Sequence, residues 1–261
     1  MTRLRTRIAN QSWGMGIGVA GILVALVAVL TTGSANGEAS GAAGRIDTRD
    51  RAAVETIVRE YILAHPEIIP EAINGMQARE VTKLLASNRH EIETPFAGAY
   101  AGNPRGDVTL VEFFDYACPF CRAGHADVKK LIASDPGLRV VYRDFPVLSE
   151  ASGEAAMASL SAAQQGRYTA FHDRMFETPG KVERVRTIAM VRAAGLNEMR
   201  TATDLNSPAL KAEIKKNLDL GRALGLTGTP TYIVGDKILN GAVGYDALAQ
   251  AVTAARKTRA G

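Results

Sequence analysis

Apolar residues along this chain change their spacing several times, and each change marks a different kind of segment. Residues 14–30 form an uncharged apolar run of 17 residues, with Arg3, Arg5 and Arg7 on its N-terminal side and small or polar residues after it. That layout predicts an export segment over 1–37. The run lies between the length of a signal-peptide core and that of a spanning helix, so a cleaved signal and an uncleaved inner-membrane anchor both stand. Small-residue cleavage sites occur around Ser34 and Ser40, and no cysteine directly follows the run, which argues against a lipid-modified N-terminus. Residues 38–46 continue a Gly-, Ser-, Ala- and Thr-rich stretch and predict a flexible linker.

From 47 to 93 the spacing becomes helical. Val54, Ile57, Val58, Tyr61 and Ile62 fall at i, i+3, i+4, i+7 and i+8, His65-Pro66 interrupts, and Ile69, Ala72, Ile73 and Met76 resume toward Val81, Leu84 and Leu85. Two amphipathic helices are predicted. A segment this short does not bury such an apolar stripe alone. Packing on the rest of the chain and packing on further copies, a homo-oligomer through 47–93, are both open. Residues 94–106, with Pro95, Gly98, Gly102 and Pro104, read as a second connector.

The remainder, 107–261, alternates strand and helix patterns. Val108 to Phe114 is β-branched and aromatic and predicts a strand. A helix from about Cys118 to Ala133 follows, stopped by Asp135-Pro136-Gly137, and then a strand over Leu138 to Arg143. Strand, helix and strand in so short a span predict a βαβ unit with a parallel pair. Residues 149–225 carry only helical patterns, over 155–165, 168–176, 182–194 and 209–224. Strand pattern returns at Thr231 to Val234 and Lys237 to Leu239, before a last helix after Tyr245. The order is βαβ, a helical insertion, then ββα.

Composition narrows the function. A 46% hydrophobic content is enough for a sizeable core and excludes a disordered chain. The pI near 9.1 overstates the basic character, because the export segment holds three arginines and no acids. Subtracting those three from the 31 basic residues leaves 28 against 27 acids. A net charge of +1 on the exported part gives no reason to expect nucleic acid.

The chain spends its two cysteines, Cys118 and Cys121, at the junction of the first strand and helix of the βαβ unit. A thiol at a helix N-terminus meets unpaired N–H groups and the positive end of the helix dipole, which stabilise a thiolate. Pro119 suits the first turn, having no N–H to leave unpaired. Cys118 is therefore the exposed attacking thiol and Cys121, one turn deeper, the resolving one. A four-residue disulfide loop is a poor stabiliser. A structural zinc site lacks a second cysteine pair, and His65, His90, His125 and His172 have no metal-binding spacing, so no metal or other cofactor is expected. His125 reads as a solvated helix residue. Phe113, Phe114, Tyr116 and Phe145 read as core or rim. Glu112, inside the apolar strand, either reaches solvent or lies buried under the cysteines.

Phe113-Phe-Asp-Tyr-Ala-Cys-Pro-Phe-Cys-Arg122, the helical insertion and Thr227-Gly-Thr-Pro-Thr-Tyr-Ile233 together resemble the DsbA-like thiol–disulfide oxidoreductases of the thioredoxin superfamily. The amphipathic pair before them resembles the oligomerisation region of the suppressor-of-copper-sensitivity type. The resemblance covers 103–261 and implies an α/β thioredoxin-like fold with a helical insertion behind an N-terminal helical segment. It implies that Pro230 is a cis-proline facing the cysteines. Pro119, Phe120, Thr229 and Pro230 would then receive substrate, and Glu112 would move the proton of Cys121. The Pro119-Phe120 pair departs from the Pro-His of strongly oxidising members. Expected partners are cysteine-containing exported proteins and a membrane or soluble redox partner that resets the pair. The expected location is periplasmic or otherwise extracytoplasmic. Oxidase and isomerase action both remain, and so does a different class, a non-catalytic chaperone or a thiolate metal-binding protein.

Overall fold

The computed structural model describes residues 48–260. The export segment 1–37 and the linker 38–46 lie outside the described residues. None of the described helices is long and apolar enough to cross a membrane.

Two helices occupy the N-terminal stretch, α1 (Thr48–Ala64) and α2 (Ile68–Glu93), separated at His65-Pro66 as the spacing predicts. The chain divides into two compact units after Tyr61. From Val54 to Met76 the large apolar side chains lie largely exposed, including Val54, Ile57, Val58, Ile69, Ile73 and Met76. Farther along α2 the behaviour reverses. Leu85 and Ile92 are buried and pack with Val111, Phe113 and Val141 of the sheet and with Phe145 just after it.

The sheet contains β1 (Tyr100–Gly102), β2 (Val108–Phe114), β3 (Leu138–Asp144), β4 (Thr231–Val234) and β5 (Lys237–Asn240), in the order β1-β3-β2-β4-β5. β2 and β3 run parallel, and the other pairs are antiparallel. A parallel pair needs a crossover, which α3 (Pro119–Ser134) supplies. The edge strand β1 falls inside 94–106, the stretch read as a connector. Its three residues, bracketed by glycines and prolines, are too short to show a period of two.

Strand alternation assigns each side chain to a face. Leu110 and Phe114 of β2, Val140 and Tyr142 of β3, and Tyr232 and Val234 of β4 point to one side, under α3 and α9 (Tyr245–Ala260). Val111, Phe113, Val141 and Ile233 point to the other, under α2 and α8 (Pro208–Ala223). By the same rule Glu112 shares the α3 side with Leu110 and Phe114, and Arg143 points to the α2 side. Arg143 is buried there. Its guanidinium donates to the carbonyls of Ile92 and Thr94 at the end of α2, and to Glu213 and Asn217 of α8.

Between β3 and β4 stand α4 (Glu150–Gln164), α5 (Tyr168–Glu177), α6 (Arg184–Ala193), α7 (Glu198–Asp204) and α8. α4 is the centre of this insertion. Its Ala155, Ala156, Ala158, Ser159, Ser161, Ala162 and Ala163 are all buried, small side chains that let helices approach from several sides. The short α7 escapes a reading by periodicity, although its Asn197 cap accepts from Arg200 N in the ordinary way.

Candidate active site

The loop after β2 is built by Asp115. Its Oδ1 accepts from Ala117 N at 2.8 Å and its main-chain carbonyl accepts from Cys118 N at 3.0 Å, which turns the chain into α3. Cys118 is the N-cap, extended at φ −78° and ψ 120°, and Pro119 takes the first helical position. Cys118 is only 5% exposed and Cys121 is fully buried, so the order of depth is as expected while the first thiol is more covered than expected. Its cover is the loop before β4. The Cys118 thiol donates to Thr229 O at 3.2 Å, and the Thr229–Pro230 peptide is cis. Pro119 and Phe120 are exposed, Phe120 at 64%. Both cysteines are free thiols.

Glu112 is 2% exposed, which resolves the two placements open in the sequence in favour of the buried one. It stands in register with Tyr142 of β3 and Tyr232 of β4. Burial pushes its carboxyl up to about 8. Burial first, and then the charge of Glu112, pushes the Cys121 thiol far above the ordinary thiol range. The two groups therefore disfavour being charged together. Gly124, one turn beyond Cys121, admits the Tyr232 ring, since a Cβ there would sit 2.5 Å from the phenol oxygen.

A set of polar contacts fixes α3 against α5. Arg122 donates to the carbonyls of Met175, Phe176 and Thr178 at the end of α5, where cations are favoured. Lys129 Nζ lies 3.0 Å from Asp173 Oδ2 and 2.5 Å from Glu177 Oε1. His125 is buried, not solvated. Its ring lies against Phe176 and His172, and its Nε2 is 3.3 Å from Asp173 Oδ1. Burial alone would raise Asp173, but His125 and Lys129 outweigh it and hold the carboxyl at about 2. His125, Asp173 and Glu177 bring ligand atoms within 4.8 Å of one another. The Lys129 ammonium already serves both carboxylates there.

A second buried acid lies outside the cysteine site. Asp144, at the end of β3, accepts from Ser159 Oγ at 3.0 Å, and burial raises it to about 8. Asp115, Arg122 and Asp173 were not legible as site residues. Only Asp115 carried a local signal, an Asp two residues before the N–H that it binds.

Paired thiols at a helix N-terminus on a thioredoxin-like sheet define the class, a thiol–disulfide oxidoreductase domain. Residues 109–253 match the family model described as DSBA-like thioredoxin domain, and 50–80 match that of the copper resistance protein ScsC N-terminal domain. The first match spans more than half of the chain, which belongs to the DSBA-like thioredoxin domain family.

Among solved structures, a thioredoxin-like oxidoreductase from Silicibacter pomeroyi is 40% identical at a TM-score of 0.63, covering 65% of this chain and 98% of that one. A linker-deletion mutant of Proteus mirabilis ScsC is 28% identical at a TM-score of 0.66, covering 83% and 99%. Disulfide bond formation protein D of Bacillus subtilis is 24% identical over 168 residues, 58% of this chain and 73% of that protein. A Na(+)/H(+) antiporter NhaA 1 of Salinispora arenicola is 26% identical over 156 residues. That match spans only 24% of the antiporter, about a quarter of its length.

Proposed function

We propose that the chain is an exported thiol–disulfide oxidoreductase that exchanges disulfides with cysteines of exported proteins through Cys118-Pro119-Phe120-Cys121. The observation that carries this reading is the Cys118 thiol, capping α3 and touching Thr229 O beside Pro230, above a buried Cys121.

The proposed exchange has three steps. The Cys118 thiolate attacks one sulfur of a client disulfide, forming a mixed disulfide and releasing the other client sulfur as a thiolate. Glu112 takes the proton of Cys121. The Cys121 sulfur then attacks Cys118, which releases the second client thiol and leaves the Cys118–Cys121 disulfide. Run backward, the same steps give the client a disulfide. The two electrons reside in the cysteine pair, so no cofactor enters, and a membrane or soluble redox partner resets it. Thr229 and Pro230 on one side, and Pro119 and Phe120 on the other, flank the sulfur that the client must reach.

Two further readings belong to this proposal. The apolar run at 14–30 behind three arginines supports export to the periplasm or an equivalent compartment, with or without cleavage. The exposed apolar side chains from Val54 to Met76 support a homo-oligomer through the N-terminal helices.

Trapping tests the central step. With Cys121→Ser, resolution is blocked, and Cys118 is expected to hold client proteins as covalent adducts that a reductant releases. Adducts that persist in Cys118→Ser, or none in Cys121→Ser, would overturn the proposal.

A further inference from the structure

Asp115 is buried, and its carboxylate also binds a second loop. While Oδ1 holds Ala117 N, Oδ2 accepts from Val147 N at 2.9 Å and from Leu148 N at 3.0 Å. Those residues lie between β3 and α4, just before the α4 cap Ser149. With the Cys118 N–H on its carbonyl, one residue gathers four backbone donors from two loops that adjoin at the same end of the parallel strands. Only a carboxylate offers acceptors on both arms, and N–H bonds to a charged acceptor are the stronger kind. The benefit of Asp115 is therefore in geometry.

What the tether presents is apolar. Val147 is 47% exposed and Leu148 53%, although their N–H groups are pinned from beneath, and Phe120 is exposed next to Cys118. Large apolar side chains held open on a fixed backbone lose little freedom when they are covered, which favours binding.

We propose that Asp115 is a positioning residue that fixes the Val147-Leu148 loop beside Cys118 as a rim for the apolar side chains flanking a client's cysteine. The occupant is an extended or incompletely folded segment with apolar neighbours on either side of the reacting sulfur. This inference rests on the thiol-exchange reading of Cys118.

The probes are two peptides, each with one cysteine joined to glutathione as a mixed disulfide, one with leucines flanking the cysteine and one with serines. The unmodified protein is expected to prefer the leucine peptide about tenfold in kcat/KM, mainly through KM. Val147→Ser with Leu148→Ser removes most of that preference. Asp115→Ala removes it to a similar extent, and the three substitutions together cost no more than the larger of the two, because they act through one loop. In the unmodified protein the Val147 and Leu148 amides exchange slowly with solvent, a readout that does not depend on any variant folding.

Equal rates with the two peptides, a preference that survives the loop substitutions, costs that add in full, or unprotected amides at Val147 and Leu148 would each overturn the inference. Failure of the unmodified protein to exchange with either peptide would instead overturn the thiol-exchange reading, and this inference with it.

Discussion

The N-terminal helices and the cysteine site depart in opposite ways from where residue types ordinarily sit. Over 54–76, Ile57, Ile73 and Met76 are apolar and open to solvent, whereas at the site Glu112 and Cys121 are ionisable and buried. Each arrangement costs free energy in a single chain. The exposed stripe is relieved by covering it, which the proposed homo-oligomer would do. The buried pair is relieved by staying uncharged, which points inward to chemistry, since an acid raised to about 8 exchanges protons near neutral pH. The first departure thus supports the proposed contact between copies, and the second supports the proposed thiol chemistry.

The largest expected effect breaks the inward half. Cys118→Ser is expected to lower exchange with a protein disulfide by at least about 1000-fold while the far-ultraviolet circular dichroism is unchanged. The outward half breaks next. Ile57→Glu with Ile73→Glu places charge in the open stripe, and light scattering should fall from a multiple of the chain mass to a single chain. Removal of the helices for the same purpose has to stop before Val81, because Leu85 and Ile92 belong to the core over the sheet.

Glu112→Gln removes the buried acid while leaving both thiols in place. Resolution of the mixed disulfide by Cys121 is expected to slow by about 10- to 100-fold and to lose its pH dependence near 8, in rapid-quench kinetics. Stability carries the same signature. Glu112 and Asp144 have folded values near 8, above those of the unfolded chain, so between about pH 4.5 and 8 the native state binds more protons. Their contribution is complete below the unfolded value and is lost as the pH rises through 8, with a slope of at most about 1.4 kcal/mol per pH unit for each. Urea titrations across that range should flatten in Glu112→Gln and in Asp144→Asn, and only the first should alter thiol exchange. The smallest effect is that of Lys129→Met, about 0.5–1 kcal/mol, since the ammonium is partly exposed to solvent.

Much of this was legible along the chain. The β2 and β3 strands, the helix start at Cys118 and the break at His65-Pro66 follow from composition, a proline and spacing, which are local. Glu112 stood out because an acid inside an apolar strand has few explanations, but its depth depended on α3 and β4 folding over it. His125 was misjudged for the same reason. Whether a polar helix residue meets water is decided by α5, whose Asp173 is 48 residues away in sequence. The tether from Asp115 to Val147 and Leu148 was invisible, because its two ends are 32 and 33 residues apart and neither alters a periodicity. The helical spacing over 54–85 announced a face in need of cover but not its cover. The sheet takes Leu85 and Ile92, and the stripe before them stays open.

The mechanism stands on one requirement, that Cys118 and Cys121 act as a single redox pair. It is tested most directly by equilibrating protein lacking the first 37 residues in glutathione buffers and counting thiols by mass spectrometry at each poise. A single two-electron transition is predicted, less oxidising than about −120 mV, where a Pro-His pair would place a strong oxidant. If no two-electron transition appears between a reducing and an oxidising glutathione buffer, the two thiols are not a redox pair and the account fails.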